Sequence, residues 1–377
     1  MSKIIEVRPF VLGVGNKNHT FVRIRTDDGF EGIGEGTINY RVRAIVGAVD
    51  DFAMYLLGKD PSQIERHWQA LYRNSFFRGG PIQCTALSAI EQALWDIRGK
   101  VLGRPVWDLL GGAARDRIRL YTHAGGPTPE IAATRAARNV ESGHRALKLG
   151  IPGTVEPVLD ERAVAATVAI VRAVRDAVGP DVDLMVDCHA KPTPAVAIRL
   201  AQELAPLRLL FLEEPIPPEN VDALVTVARA SPVPIATGER LYTRWGFRDV
   251  VEQQAAAVLQ PDLGHAGGIL EVKKIAALAE MYYASVAPHN PRGPGVTMAS
   301  LHIAACTPNF LIQEIVHDDP LRAEMLVEQL NVRDGYVSLP TAPGLGLRFD
   351  ESLATRFPYN PIDTPHPTHL DGSVADW

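Results

Sequence analysis

The chain has 377 residues, 46% of them apolar and 22% charged, with a formal net charge of −6. That length implies two domains, one large enough for a full core, and the composition is that of a globular chain rather than a disordered one. No basic run could neutralise phosphates, so nucleic acid is excluded as a partner, and no apolar run approaches the roughly 18 residues of a membrane span.

Cys84, Cys188 and Cys306 are scattered and lack CxxC spacing, and the start, MSKIIEVRPF, carries charges where an export signal needs an apolar stretch. A reduced, cytoplasmic compartment is the expectation.

The first part predicts a small α+β unit. Residues 3–14 and 20–26 alternate like half-buried strands, and Asp27-Asp28-Gly29 supplies a turn before a third strand over 30–36. Val42, Ile45, Val49, Phe52 and Leu56 then recur at helical spacing. A second helix is expected near 63–73, and a third over 84–100, where Ala86, Ile90, Leu94 and Ile97 align. The run Gly32-Ile33-Gly34-Glu35-Gly36 resembles a phosphate-cradling loop, but no strand-to-helix signal surrounds it, so it reads as a hairpin turn.

From about residue 117 the rhythm changes. Short apolar runs at 117–121, 146–149, 183–186, 209–212, 234–236, 257–259, 285–287 and 310–312 are separated by helical stretches. Strand–helix alternation implies parallel strands with crossover helices, and eight such runs suggest a closed barrel. After about residue 330, DGYVSLP and PGLGLRFD return to short strands that should rejoin the first unit. The expected division is 1–116, a capping domain; 117–330, a barrel; and 331–377, a segment returning to the cap.

Asp187, Glu213 and Glu239 follow successive apolar runs at equal intervals of 26 residues. One such acid is commonly a helix cap, but three in step place a carboxylate at the end of each of three neighbouring strands, where barrel enzymes carry their chemistry. Converging carboxylates repel unless a divalent cation neutralises them, and hard oxygen donors favour magnesium or manganese. Glu214 competes with Glu213; the strand-end residue is preferred as the ligand, with Glu214 opening the loop.

His289 follows the seventh run, and Asp262, 27 residues earlier, follows the sixth. Adjacent strand ends would let the aspartate fix the imidazole tautomer and raise its basicity. Strand periodicity puts His189 on the same face as Asp187, leaving Cys188 as a packing residue. His189 is thus a candidate general acid. Glu314, after the eighth run, could hydrogen-bond an oxygen of an intermediate if protonated. Lys148 either polarises a substrate carboxylate or balances the acids. His123 is a weaker candidate for the pocket, and His265 is expected to shape a turn.

These residues sit among YRNSFFRGGP (72–81), ALSAIEQALWDIRGK (86–100), VWDLLGG, LQPDLGHAGG, APHNPRGP, PGLG and SVADW. Together they make the chain resemble the enolase superfamily, mandelate racemase subgroup, and most closely the galactonate dehydratases. The resemblance implies a modified (β/α)₇β barrel under an α+β capping domain. It implies magnesium on Asp187, Glu213 and Glu239, with His289 as the base for the carbon-2 proton, oriented by Asp262. His189 would protonate the departing 3-hydroxyl, and Glu314 would support the enediolate. Histidine bases with magnesium are the known pattern of this superfamily, not something the spacing reveals.

The resemblance also has departures. Racemases of the subgroup carry Lys-x-Lys after the second strand; here Lys148-Leu149-Gly150 lacks the second lysine. Dehydration is therefore favoured over racemisation. Ala190, Lys191 and Asn290 also depart from the dehydratase pattern, as does the loop VGNKNH (14–19), which in the family covers the substrate. Asn18 in that loop and Lys148 are candidate substrate contacts. The expected partner is a small anionic sugar acid, handled by a homo-oligomer. An epimerase or cycloisomerase on the same fold, and a non-catalytic barrel, are the alternatives.

Overall fold

The structure is a computed structural model that describes residues 2–74, 76–316 and 319–376. Ser75 in YRNSFFRGGP and Trp377 at the end of SVADW lie outside the described residues.

The chain begins with an antiparallel sheet of order β1 (Ile4–Val14), β2 (Lys17–Thr26), β3 (Glu31–Glu35). Val14 pairs with Lys17 across a two-residue turn at Gly15-Asn16, where Gly15 has φ +58°. The expected loop over 14–19 is therefore a tight hairpin, and β2 starts three residues earlier than its apolar pattern suggests. Four helices follow: α1 (Val42–Leu56), α2 (Ile64–Arg73), α3 (Pro81–Leu102) and α4 (Val106–Leu109).

The Gly32-to-Gly36 run is not a hairpin turn. It is β3 itself with its flank, and its glycines face α3. A Cβ at Gly32, Gly34 or Gly36 would overlap the carbonyl oxygens of Ala93, Ala89 and Thr85 respectively. Glycine at every second position lets the helix backbone lie directly on the strand.

The barrel follows in strict alternation: β4 (Arg117–His123), α5 (Pro129–Glu141), β5 (Ala146–Gly150), α6 (Glu161–Val178), β6 (Asp183–Asp187), α7 (Pro194–Leu204), β7 (Phe211–Glu213), α8 (Val221–Ala230). It continues through β8 (Ile235–Thr237), α9 (Thr243–Glu252), β9 (Val258–Leu259), α10 (Ile269–Glu280), β10 (Ser285–Val286), α11 (Pro294–Cys306) and β11 (Gln313–Glu314). Neighbouring strands pair in parallel from β4 to β10, and β11 pairs with β4. The remaining gap is closed by Val286 N donating to Asn309 O (2.9 Å) and Leu311 N donating to Val286 O (2.8 Å). Eight strands with seven crossover helices make a (β/α)₇β barrel. The expected eighth run at 310–312 serves as this closure, and Glu314 is the last residue of β11 rather than a residue after it.

Tyr121, Ala146, Met185, Phe211, Ala236, Val258, Ala287 and Ile312, one from each strand or its flank, form a buried cluster of their own. They are the floor inside the ring. Their immediate neighbours, such as Leu147, Val186 and Leu212, join the large apolar cluster shared with the helices. Because strand side chains alternate, the residues two further on from the floor return to the inside at the carboxyl end. Those residues are His123, Lys148, Asp187, Glu213, Gly238, Gln260, His289 and Glu314.

After the barrel come α12 (Pro320–Met325), β12 (Tyr336–Ser338) and α13 (Leu353–Arg356). The DGYVSLP segment, expected to rejoin the first unit, instead pairs with the barrel: β12 is antiparallel to β4, Tyr336 opposite Arg119. The later residues do return to the cap. Leu345 N donates to Asp96 Oδ1 (2.7 Å), and Arg23 pairs with Glu351 (2.7 Å). Among the described residues no helix is long and apolar enough to cross a membrane.

Candidate active site

Asp187 ends β6, Glu213 ends β7, and Glu239 lies two residues past β8. One carboxylate oxygen from each lies within 4.8 Å of the others. Oε2 of Glu213 and Oε2 of Glu239 are buried without a hydrogen-bond partner among the described residues. Buried oxygens left unsatisfied are costly, and an all-oxygen set of this size suits a hard divalent cation. Glu214, also buried, turns away at φ +40° and accepts from Thr237 Oγ1 (2.5 Å) and Gly238 N (2.9 Å). It holds the turn that delivers Glu239.

Lys148, on β5, is buried among the acids. Its Nζ is 2.7 Å from Glu213, 2.7 Å from Glu314 and 3.5 Å from Asp187. Burial works against its charge, but Glu213 and Glu314 hold its pKa well above the usual lysine range. Burial pushes Glu213 up to about 8, despite Lys148, and carries Glu239 well above the ordinary carboxylate range.

His289 Nδ1 lies 2.9 Å from Asp262 Oδ2, which leaves Nε2 facing the acids, 3.2 Å from Glu239 Oε2. Asp262 is fully buried, yet His265, Arg292 and His289 keep its carboxyl well below the usual range, so it is a fixed negative charge. His189 is near Asp187, but not through strand alternation. The strand ends at Asp187, and His189 and Ala190 take the left-handed conformation (φ +51° and +55°). That turn brings His189 N to Asp187 Oδ1 (2.8 Å) and Nε2 to within 3.2 Å of Oδ2. Cys188 is buried in the apolar core, its thiol pushed well up by burial.

Two candidates are placed differently from their first reading. Glu314 was read as a donor to an intermediate's oxygen if protonated. Its buried carboxylate instead receives three donors: Lys148, His123 Nε2 (2.6 Å) and Asn290 N (2.6 Å). Burial would raise its pKa, but Lys148 and His123 hold it well below the usual range, so it accepts and does not donate. Asn18 was expected to touch substrate. Its amide is used on the C-terminal segment, donating to Asn360 O (2.7 Å) and accepting from Asn360 N (2.9 Å). Its strand neighbours Lys17 and His19 point the other way, toward the segment after His289.

The sequence reading undervalued three residues. His123 reaches Glu314; its place two residues beyond the floor residue Tyr121 was the available signal. His265 Nε2 lies 2.5 Å from the backbone oxygen of Glu239, and burial lowers its pKa to about 4, so it stays neutral there. Arg292 Nε donates to Asp262 Oδ2 (3.2 Å), a contact that no spacing rule would predict.

Residues 2–111 match the mandelate racemase / muconate lactonizing enzyme N-terminal domain, and residues 132–353 match the enolase C-terminal domain-like family. The chain belongs to the mandelate racemase/muconate lactonizing enzyme family of the enolase superfamily. It is 42% identical to a D-galactonate dehydratase of Variovorax paradoxus over 95% of this chain and 96% of the relative. A D-galactonate dehydratase of Ralstonia pickettii is 41% identical with the same coverage. Among solved structures, a mandelate racemase/muconate lactonizing enzyme-like protein from Roseovarius sp. TM1035 superposes with a TM-score of 0.90 at 38% identity, covering 95% of this chain and 96% of that one. The family member from Sulfitobacter sp. gives 0.90 at 37%, covering 96% of each. With such relatives, the chain is an enzyme of the dehydratase (hydro-lyase) type.

Proposed function

We propose that this enzyme removes the carbon-2 proton of a sugar acid of the galactonate type and eliminates the 3-hydroxyl, giving a 2-keto-3-deoxy acid. The observation that carries the reading is the opposition of the His289–Asp262 pair to the three acids across one barrel mouth, with Nε2 turned toward Glu239.

An α-proton of a carboxylate is hard to remove because the product carries a second negative charge. Magnesium or manganese held by Asp187, Glu213 and Glu239 would offset that charge. The protein's own side chains divide the remaining work. His289 takes the proton on Nε2 while Asp262 stabilises the imidazolium through Nδ1. Lys148 supplies a buried positive charge beside the acids, and the ionised Glu314 holds Lys148 and His123 in place. His189, on the Asp187 side, gives a proton to the departing hydroxyl.

Position 150 carries no side chain, so β5 offers no second base and an epimerase is disfavoured. The test is incubation of the magnesium-loaded enzyme with aldonic and aldaric acids, scored for 2-keto acid. Exchange of the carbon-2 proton in D₂O without keto acid would point to an epimerase or cycloisomerase instead.

A further inference from the structure

The β1–β2 hairpin and the segment after His289 enclose a cavity of about 190 Å³, lined by Val14, Lys17, His19, Arg292, Val316 and Asp319. It lies outside the set of acids but one carboxylate away from the base, because Arg292 Nε and His289 Nδ1 share Asp262 Oδ2. That single bond fixes the guanidinium. Its two terminal nitrogens have no hydrogen-bond partner among the described residues, and the side chain is only 11% exposed. The Lys17 ammonium also makes no hydrogen bond or ion pair among the described residues.

A part-buried guanidinium with its fork free, next to an unpaired ammonium, is built to receive a carboxylate in bidentate fashion. Two carboxylates act on the Lys17 charge, Glu314 and Asp319, but neither makes an ion pair with it among the described residues. His19 is held by Glu35 through Nδ1 (3.0 Å). Asp319 is the one carboxylate among the described lining residues, and its Oδ2 is buried without a hydrogen-bond partner among them. One of its oxygens caps α12 at Leu321 N (2.9 Å), and burial raises its pKa. Burial and the Arg292 charge also pull the Lys17 pKa down. An anion in the cavity would offset the repulsion between the two cations.

We propose that the Lys17–Arg292 pair binds a second carboxylate at the far end of the substrate, so that the preferred substrates are aldaric diacids rather than aldonic monoacids. This rests on the reading of the barrel mouth as the site that handles the first carboxylate.

Two measurements test it on the magnesium-loaded full chain. In turnover, galactarate and glucarate should exceed galactonate and gluconate in kcat/KM by about tenfold or more, the ratio that one charge-assisted bond of about 1.4 kcal/mol would give. Lys17→Met and Arg292→Gln should each bring that diacid-to-monoacid ratio toward one. In binding, calorimetry on the His289→Asn protein should show galactarate tighter than galactonate, with the difference lost when Lys17→Met is added. Thermal melting confirms that each variant is folded, and Lys17→Arg should retain the preference. A wild-type enzyme that dehydrates monoacids as well as diacids, with a ratio indifferent to both variants, overturns this inference and leaves the dehydratase reading intact. Diacid binding that depends on Lys17 without keto-acid formation supports this inference and sinks the reaction assignment instead.

Discussion

His289 lies between two carboxylates, hydrogen-bonded through Nδ1 to Asp262 (2.9 Å) with Nε2 3.2 Å from Glu239. The contact with Asp262 fixes which nitrogen is free. The base should therefore fail in two distinguishable ways. His289→Asn should lower carbon-2 proton exchange by at least about 10²–10⁴-fold, the usual worth of a positioned general base. Asp262→Asn keeps the ring but loses the charge opposite the imidazolium, so a smaller loss in kcat is expected with KM little changed. Exchange measured by NMR in D₂O tests both, and normal exchange in His289→Asn would remove this residue from the mechanism.

His189 stands on the other flank, beside Asp187. If it serves the leaving hydroxyl alone, His189→Asn should stop keto-acid formation and still allow proton exchange with solvent. Measuring both rates on one sample decides it. Equal loss of the two would mean that His189 is needed for the first step as well.

How far the sequence exposed this site depends on strand periodicity. Asp187, Glu213, Glu239, Asp262 and His289 were legible because each follows an apolar run by a fixed step, and the barrel repeats that step. Wherever the chain leaves the strand, the inference weakened. His189 reaches Asp187 through two left-handed residues rather than through strand alternation. The ionisation of Glu314 depends on Lys148 and His123, residues far apart in sequence whose meeting only the closed ring creates. Asn18 was read as part of a loop, and the tight hairpin that forms there sets it on the opposite strand face from Lys17 and His19. The Gly32-Gly34-Gly36 alternation was a packing signal for α3 and carried no trace of which helix it would meet.

Metal uptake should release a proton. With Glu213 pushed up to about 8, the metal-free enzyme carries a proton there at neutral pH, and a bound cation displaces it. Apparent affinity should rise with pH through about 8, with Glu239, also held well above the ordinary carboxylate range, adding to the trend. Isothermal calorimetry at pH 7 in buffers of different ionisation enthalpy reads the proton directly, and a slope of zero would rule this out. Stability of the metal-free protein should move the opposite way. The folded state binds a proton that the unfolded carboxyl, with a pKa of about 4.3, has already lost. Stability from this group is thus full below that value and falls as pH rises toward 8. Saturating magnesium should flatten the trend.

The cap meets the barrel through Glu35 on β3. Its Oε1 accepts from His19 and Gly293 N, and its Oε2 accepts from Val296 N, so one buried carboxylate ties the hairpin to the segment after the base. Gly34 precedes it with no room for a Cβ against Ala89. Gly34→Ala must push β3 off α3, at about 1–3 kcal/mol for an overpacked contact, and it shifts Glu35 as it does so. The expected result is a lower melting temperature and a higher KM, although residue 34 touches no reacting group. Gly47 is the control. It lies on the exposed side of α1 with nothing within 4 Å of a built Cβ, so Gly47→Ala should stabilise by roughly 0.5–1 kcal/mol and leave KM alone. Equal effects of the two substitutions would show that the β3–α3 contact does not set the cap's position over the barrel.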